Sequence, residues 1–144
     1  CFGSQALAAA LAGCVVRSEQ QQVGWTPLTV GDEWGLPGGP WMQWHYDVVT
    51  VPPAATELAR SAVGPQAWEM GRSFCTQFHP EANESIIARW SVFGPGEAEL
   101  QKFGSSSDEL MAATRANTLV SREHTEQLVD WFVERHAGAR PAPS

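Results

Sequence analysis

Two short segments of the chain carry side chains that could perform covalent chemistry. The chain opens with Cys1-Phe2-Gly3-Ser4-Gln5, and Gln77-Phe78-His79-Pro80-Glu81 follows much later. The first segment offers a thiol nucleophile, and the second offers an imidazole base with a carboxylate two positions away. Nucleophile, base and orienting acid are the three roles of a triad in covalent acyl transfer. The sequence therefore predicts a cysteine-dependent acyl-transfer site.

The nucleophile stands at the start of a predicted helix. The Ala-rich run Ser4–Leu11 predicts a buried helix that ends near Gly13. A cysteine just before a helix lies near the positive end of the helix dipole, which favours its thiolate. Gly3 is expected to allow a tight backbone turn where a side chain would collide. These features predict an activated thiol at Cys1.

The base stands at the end of a predicted strand. Ser73–Phe78 is apolar enough to predict a buried strand, and His79 follows it directly. Pro80 fixes the backbone after His79 and should hold the imidazole at the strand end. Glu81 can accept a hydrogen bond from one ring nitrogen and thereby fix the tautomer. The predicted triad is therefore Cys1, His79 and Glu81.

The remaining cysteines and histidines favour structural roles. Cys14 and Cys75 have no basic neighbour, so both are expected in the core. A lone cysteine is also more often a small buried residue than a nucleophile, and Cys1 is set apart by its pairing with a His-Pro-Glu segment. Four scattered histidines fit no metal-ligand spacing, so the sequence predicts neither a metal nor a cofactor.

Composition limits the possible partners. The 144 residues suffice for one domain, and the formal net charge of −7 includes a single lysine, Lys102. A chain this acidic is not expected to bind nucleic acid or an anionic membrane surface. No apolar run approaches the roughly 20 residues that span a bilayer. Three widely spaced cysteines make no disulfide framework, so a cytoplasmic location is expected.

The rest of the chain is predicted to alternate strands and helices, as in an α/β layer fold. The expected strands are Cys14–Arg17, Gly24–Val30, a strand, turn and strand within Trp41–Val51, Glu57–Ser61 and Ala67–Met70. The expected helices are Glu84–Phe93, which ends at Gly94-Pro95-Gly96, Asp108–Arg115 and Thr118–His136.

With these motifs in order, the sequence resembles the class I, or triad-type, glutamine amidotransferase domain. Cys1, Gly3 and Gln5 match the second half of that family's Gly-x-Cys-x-Gly-x-Gln elbow, and His79-Pro80-Glu81 matches its second motif. Three middle segments also look like the family's: Gly24-Trp25-x-Pro27, Trp44-His45-x-Asp47 and Gly64-Pro65-Gln66-Ala67. The resemblance covers about residues 1–88. The later helices resemble the extension of members related to the glutaminase domain of GMP synthase.

The resemblance implies a flavodoxin-like α/β fold. That fold has a central mixed or parallel sheet with flanking helices, and its N-terminal strands would be missing from this chain. Residues 1–93 would be the C-terminal part of the amidotransferase domain, 94–137 a helical C-terminal extension and 138–144 a disordered tail. A piece truncated in this way is expected to expose a sheet edge and an apolar face, and to be inactive alone.

The resemblance also implies a role for each matching residue. Cys1 would attack the side-chain amide of glutamine, while His79 would take the thiol proton and pass it to leaving ammonia. Glu81 would orient His79. The Phe2 backbone N–H would stabilise the oxyanion, and Gln5 would help to hold the substrate.

Two further residues belong to the implied substrate site. Trp44 and His45 lie where the family grips the amino-acid end of glutamine, mainly through the backbone. His45 is expected to be structural or a specificity contact rather than a second base. The ammonia would pass to a synthase domain or subunit, which is the implied partner.

Three alternatives remain open from the sequence. The same triad could hydrolyse γ-glutamyl peptides, or the domain could be inactive and bind a partner. A third alternative is an N-terminal-nucleophile amidotransferase in which Cys1 uses its own α-amine as the base. His79-Pro80-Glu81 would have no role in that last mechanism.

Overall fold

One helix, six strands and three further helices follow one another in the computed structural model, which describes residues 1–92 and 96–137. The first helix is α1 (Phe2–Ala10). The strands are β1 (Cys14–Thr26), β2 (Thr29–Val30), β3 (Trp41–Thr50), β4 (Thr56–Arg60), β5 (Pro65–Met70) and β6 (Ser73–Thr76). The later helices are α2 (Glu84–Val92), α3 (Gly96–Lys102) and α4 (Ser107–Ala137).

The strands form two antiparallel sheets. β1 pairs with β3 from Cys14↔Thr50 to Thr26↔Trp41, and the second sheet has the order β2-β4-β5-β6. An isolated bridge between Met42 and His79 joins β3 to the segment that follows β6. The predicted α/β class is confirmed. Within residues 1–92 every named strand pair is antiparallel, so the parallel pairing that the resemblance implies is not among them.

The core is divided by β3, whose successive side chains point to opposite faces. Trp41 packs towards the second sheet and α4, while its neighbour Met42 packs towards α2, α3 and α4. The first cluster contains Trp41, Leu58, Ala59, Ala67, Phe78 and Leu128, and the second contains Met42, Ala82, Ile87, Leu100 and Leu110. A third cluster lies under α1 and contains Ala8, Val49, Trp68 and Cys75.

The first strands are more continuous than predicted. The strand expected at Cys14–Arg17 continues through an irregular pairing between Arg17 and Gln22, so β1 runs unbroken to Thr26. The turn expected within Trp41–Val51 is absent from the described residues, because β3 runs without interruption to Thr50. Polar residues in the middle of both strands favour a break, but the two strands are paired on both sides of these residues.

The helices also differ from their predicted lengths. The helices expected at Asp108–Arg115 and Thr118–His136 are one helix, α4, because Asn117 stays in register and donates its side-chain amide to the Ala113 carbonyl. The residues expected to break the helix before α3, 94 and 95, lie outside the described residues, as does the expected tail 138–144. No described helix combines the length and apolar character needed to cross a membrane.

Helix α1 is only half covered, so the prediction of a buried helix is wrong. Ser4 and Ala8 are its buried residues, because one face packs on the sheet below it. A Cβ at Gly3 would meet no described atom within 4 Å, so the expected steric need for glycine is not found there. Gly13 does allow a close approach, since a Cβ there would lie 2.5 Å from the Thr50 carbonyl oxygen.

One predicted core residue is exposed. Cys75 is buried, as expected, but Cys14 lies exposed at the start of β1. The apolar side chains of Phe2, Val15 and Val16 are also exposed, Phe2 at 79%. In the described residues β1 pairs with β3 alone, and its first four residues are exposed on both faces of the strand.

Candidate active site

The start of α1 is fixed against the end of β6. The Ser4 hydroxyl accepts a hydrogen bond of 2.9 Å from the Trp68 indole, and both residues are buried. The Cys1 nitrogen donates to the Thr76 carbonyl at 2.9 Å. The Cys1 carbonyl accepts the first bond of the helix from the Gln5 nitrogen at 3.2 Å. The candidate nucleophile is therefore held at a helix N-terminus beside a strand end.

His79 is placed by the backbone of the neighbouring strand. Its N–H donates to the Met42 carbonyl at 2.9 Å, which extends the segment after β6 alongside β3. The ring is 14% exposed and meets the Trp90 ring edge-on, with centroids 4.8 Å apart. This packing limits rotation of the ring about its side-chain bonds.

The predicted base and orienting acid are in contact. His79 Nδ1 lies 2.7 Å from Glu81 Oε1. A proton on Nδ1 satisfies this bond and leaves Nε2 with the lone pair that a general base needs. Burial is the largest single influence on the Glu81 carboxyl and acts to raise its pKa, but the hydrogen bonds from His79 and the backbone, together with nearby positive charge, outweigh it, so the pKa lies below its ordinary value. Glu81 is therefore ionised at neutral pH and can stabilise an imidazolium.

The Cys1 thiol is hydrogen-bonded to the segment that carries His79 through the side chain of Gln77. Gln77 Nε2 donates to Cys1 Sγ at 3.1 Å. Phe78 points to the opposite face, where its ring stacks on Trp41 with centroids 4.7 Å apart. Gln77 and His79 thus lie on either side of Phe78 in the segment that follows β6.

Of the contacts predicted within the triad, the structure contains the one between His79 and Glu81. His79 bonds Glu81, and the Cys1 thiol bonds Gln77, two residues before His79. A direct hydrogen bond between Cys1 and His79 is not among those recorded for the described residues. The full triad therefore stays a prediction.

His45 is a buried histidine in a neutral environment. The residue is 3% exposed, with Nδ1 3.1 Å from the Asp47 carbonyl oxygen and Nε2 3.1 Å from Gln43 Oε1. Burial lowers the pKa of His45 to about 4, so the ring is neutral at neutral pH. A neutral ring has one N–H, so rotation of the Gln43 carboxamide would supply the missing donor. These contacts support the expected structural role and argue against a second base.

The other predicted substrate residues lie around the same centre. Trp44 is half-buried and meets Trp90 edge-on at 5.8 Å, so one indole contacts both Trp44 and His79. Phe2 begins α1 with its side chain exposed, and Gln5 is half-buried one turn later. Their roles in binding glutamine stay predictions.

Three contacts at the site escaped the sequence analysis. The bond from Gln77 to Cys1 joins residues 76 positions apart in the sequence. Trp90 reaches His79 only through the packing of α2, and the Thr125 hydroxyl on α4 donates to the Pro80 carbonyl at 2.9 Å. No local pattern indicates either of these contacts, because both join distant segments. Nowhere in residues 1–92 and 96–137 do three His, Cys, Asp or Glu side chains gather as a metal site would require.

Known proteins with similar sequence or structure share the fold of this chain. No family model matches the chain. It is 40% identical over 100 residues to the glutamine-hydrolysing GMP synthase of Aeropyrum pernix, a match that covers 62% of this chain and 19% of that protein. The chain therefore spans about a fifth of the length of this curated relative.

Two solved structures share the fold. A glutamine amidotransferase from Methylobacillus flagellatus matches with a TM-score of 0.79 and 22% identity, over 93% of this chain and 60% of the other. A glutamine amidotransferase from Thermotoga maritima matches with a TM-score of 0.75 and 26% identity, over 94% of this chain and 60% of the other. The structural matches show the fold, and together with the sequence match they support a class I glutamine amidotransferase domain.

Proposed function

We propose that this protein hydrolyses glutamine to glutamate and ammonia through a γ-glutamyl thioester on Cys1. The observation that supports the proposal is the bond between His79 Nδ1 and Glu81, because a proton on Nδ1 leaves Nε2 free to act as a base. Similarity to known proteins suggests the substrate class, since the matched proteins are described as glutamine-hydrolysing or as glutamine amidotransferases.

The first half of the reaction forms the thioester. His79 Nε2 takes the thiol proton, and the Cys1 sulfur bonds to the amide carbon of the glutamine side chain. The Phe2 backbone N–H stabilises the oxygen anion of the tetrahedral intermediate. The carbon–nitrogen bond then breaks, and His79 returns its proton to the leaving ammonia.

The second half releases glutamate. His79 takes a proton from water, whose oxygen attacks the thioester carbonyl, and the carbon–sulfur bond breaks to regenerate the thiol. In both halves Glu81 stabilises the imidazolium form of His79 and maintains the productive tautomer. Gln5 and the backbone of Trp44-His45 hold the substrate, as the family resemblance implies.

We also propose that the ammonia passes to a synthase domain or subunit. The relative from Aeropyrum pernix is by its description both a synthase and a glutamine-hydrolysing protein. The three cysteines Cys1, Cys14 and Cys75 are free thiols, which fits a reducing, cytoplasmic setting.

The test is glutamate release by the full-length gene product and its cysteine variants. Cys1→Ser should lower the rate by at least about a thousandfold, because the weaker hydroxyl nucleophile replaces the thiol. Cys14→Ser is the matched control, since Cys14 is exposed on β1 and should leave the rate unchanged. Retained activity in Cys1→Ser would disprove the thioester route, and preference for a γ-glutamyl peptide over free glutamine would favour the peptide hydrolase.

A further inference from the structure

We propose that Gln77 is a positioning residue for the nucleophile, whose carboxamide holds the Cys1 sulfur beside His79 and stabilises its thiolate form. The inference deepens the proposed function and rests on Cys1 being the nucleophile. It concerns a side chain that takes no proton and touches no part of the glutamine in the mechanism above.

The geometry fixes the sulfur through two adjacent residues. Gln77 Nε2 lies 3.1 Å from Cys1 Sγ, and the Thr76 carbonyl accepts from the Cys1 nitrogen at 2.9 Å. Gln77 is 1% exposed, and its own N–H donates to the Gln66 carbonyl at 2.8 Å. A buried side chain on a paired backbone has little freedom to move, so the carboxamide is a rigid anchor for the sulfur.

The partner of the amide nitrogen distinguishes Gln77 from its neighbour Gln66. Both residues have a buried Oε1 with no hydrogen-bond partner among the described residues. The Gln66 amide donates to Gln22 and Ser61, whereas the Gln77 amide donates to the candidate nucleophile.

The chemistry favours the thiolate. A hydrogen bond to an ionised acceptor is stronger than one to its neutral form, so an N–H donor beside sulfur stabilises S⁻ more than S–H. Water is excluded from this donor, which increases the difference. A carboxamide does not titrate, so Gln77 provides this bias without competing with His79 for the proton.

Several titratable groups surround Cys1 and set the background for this effect. They are Cys75 on β6, His79 and Glu81 after that strand, and His45 on β3. Substitution of Gln77 leaves all of them in place. A change in the ionisation of the thiol can therefore be read against a constant background.

The test is the pH dependence of Cys1 alkylation by iodoacetamide in the full-length gene product, with the modified peptide identified by mass spectrometry. Gln77→Met keeps the length and bulk of the side chain and removes the donor. It should raise the midpoint of the alkylation profile by about one pH unit, a roughly tenfold loss of thiolate. Gln77→Glu should raise the midpoint further, because a carboxylate would face the sulfur.

Gln66→Met is the matched control. Gln66 is an equally buried glutamine on the neighbouring strand, but its amide donates to Gln22 and Ser61 rather than to Cys1. Its midpoint should stay at the wild-type value. An unchanged midpoint in both Gln77 variants, with wild-type circular dichroism, would overturn the proposal, and so would an equal shift in Gln66→Met.

Activity separates this inference from the proposed function. Gln77→Met should lower kcat for glutamine and leave KM unchanged, because Gln77 acts on the sulfur and not on the substrate. The alkylation assay needs no glutamine. If the wild-type protein releases no glutamate but Gln77→Met still shifts the midpoint, the role of Gln77 stands and the proposed function fails.

Discussion

His79 and His45 show how the same residue type acquires opposite properties in one small site. His79 has a carboxylate on Nδ1 and an indole against its face, so it is suited to carry a proton. His45 is buried against a backbone carbonyl and a carboxamide. The environment of each ring, rather than its distance from Cys1 in sequence, favours a base at His79 and a structural role at His45.

His45 should make the fold less stable in acid. Its pKa is lowered from 6.5 to about 4 by folding. Between pH 6.5 and about 4 the ring is therefore protonated in the unfolded chain and neutral in the folded chain. Stability is therefore lost as pH falls through this window, by on the order of 3 kcal/mol in total and about 2 kcal/mol between pH 7 and 5. Urea unfolding at the two pH values should show this loss, and His45→Gln should show a smaller one.

An NMR titration of the His45 ring checks the same prediction directly. The His45→Gln variant assigns the resonance. A ring that titrates near the ordinary value of 6.5 would contradict the account.

For individual residues, the sequence predicts those contacts that form between near neighbours in the chain. The contact between His79 and Glu81 is local, and a His-Pro-Glu segment predicts it. Cys14 and Cys75 looked alike in sequence, yet one is exposed and the other buried, because the cover on each strand face comes from distant segments. The bond from Gln77 to Cys1 joins residues 76 positions apart and has no local signature.

At the scale of elements, helix α4 supports the turn that carries His79 and Glu81. The Thr125 hydroxyl contacts the Pro80 carbonyl at 2.9 Å and the Ser121 carbonyl of its own helix at 2.8 Å. His124 lies against Trp41, with ring centroids 5.8 Å apart. The backbone between His79 and Glu81 is therefore anchored to α4.

Removing this anchor should weaken both stability and catalysis. Thr125→Val keeps the shape of the side chain and loses the hydroxyl, which should cost about 1 kcal/mol of stability. A several-fold fall in kcat should accompany it, because small displacements of a catalytic group are costly. Thermal unfolding and glutamate release are the measurements.

Thr118→Val is the matched control for this variant. Its hydroxyl donates to the Thr114 carbonyl within α4, rather than to the turn that carries His79 and Glu81. It should lower stability slightly and leave kcat unchanged. Equal falls in kcat for the two variants would show that α4 does not position the turn.

The continuity of β3 explains why elements were harder to predict than motifs. Gln43 and His45 are polar, which favours a turn in the middle of the segment. In the structure both side chains are buried and bond each other. A polar residue within a strand marks either solvent or a buried polar contact, and only the packed structure tells which. The same ambiguity at Asn117 divided α4 into two predicted helices.

At the scale of the whole molecule, α4 joins the two faces of β3. Leu110 belongs to the cluster that contains Met42, and Leu128 belongs to the cluster that contains Trp41. The Trp25 indole also donates to the Thr114 hydroxyl at 3.0 Å, which ties β1 to the same helix. The helical residues after 94 thus complete the core around the site.

Two leucines on α4 give a paired test of this arrangement. Leu128 is 6% exposed and Leu119 is 78% exposed. Leu128→Ala should lower the free energy of unfolding by about 2–5 kcal/mol because it leaves a cavity in the core. Leu119→Ala should change it by less than about 0.5 kcal/mol.

Unfolding should also be a single transition. Tryptophan fluorescence and circular dichroism should report the same midpoint for each variant, since α4 and the sheets share clusters. Two separate midpoints would mean that the helices after residue 94 fold independently of the strands.

The most direct test of the central claim is to trap the acyl-enzyme. The full-length gene product is mixed with glutamine, quenched in acid during turnover and digested. The masses of the peptides are then measured by mass spectrometry. The account predicts one glutamyl group on the peptide that carries Cys1, and none on the peptides that carry Cys14 or Cys75. Glutamate release with no adduct on Cys1, or with the adduct on another cysteine, would contradict it.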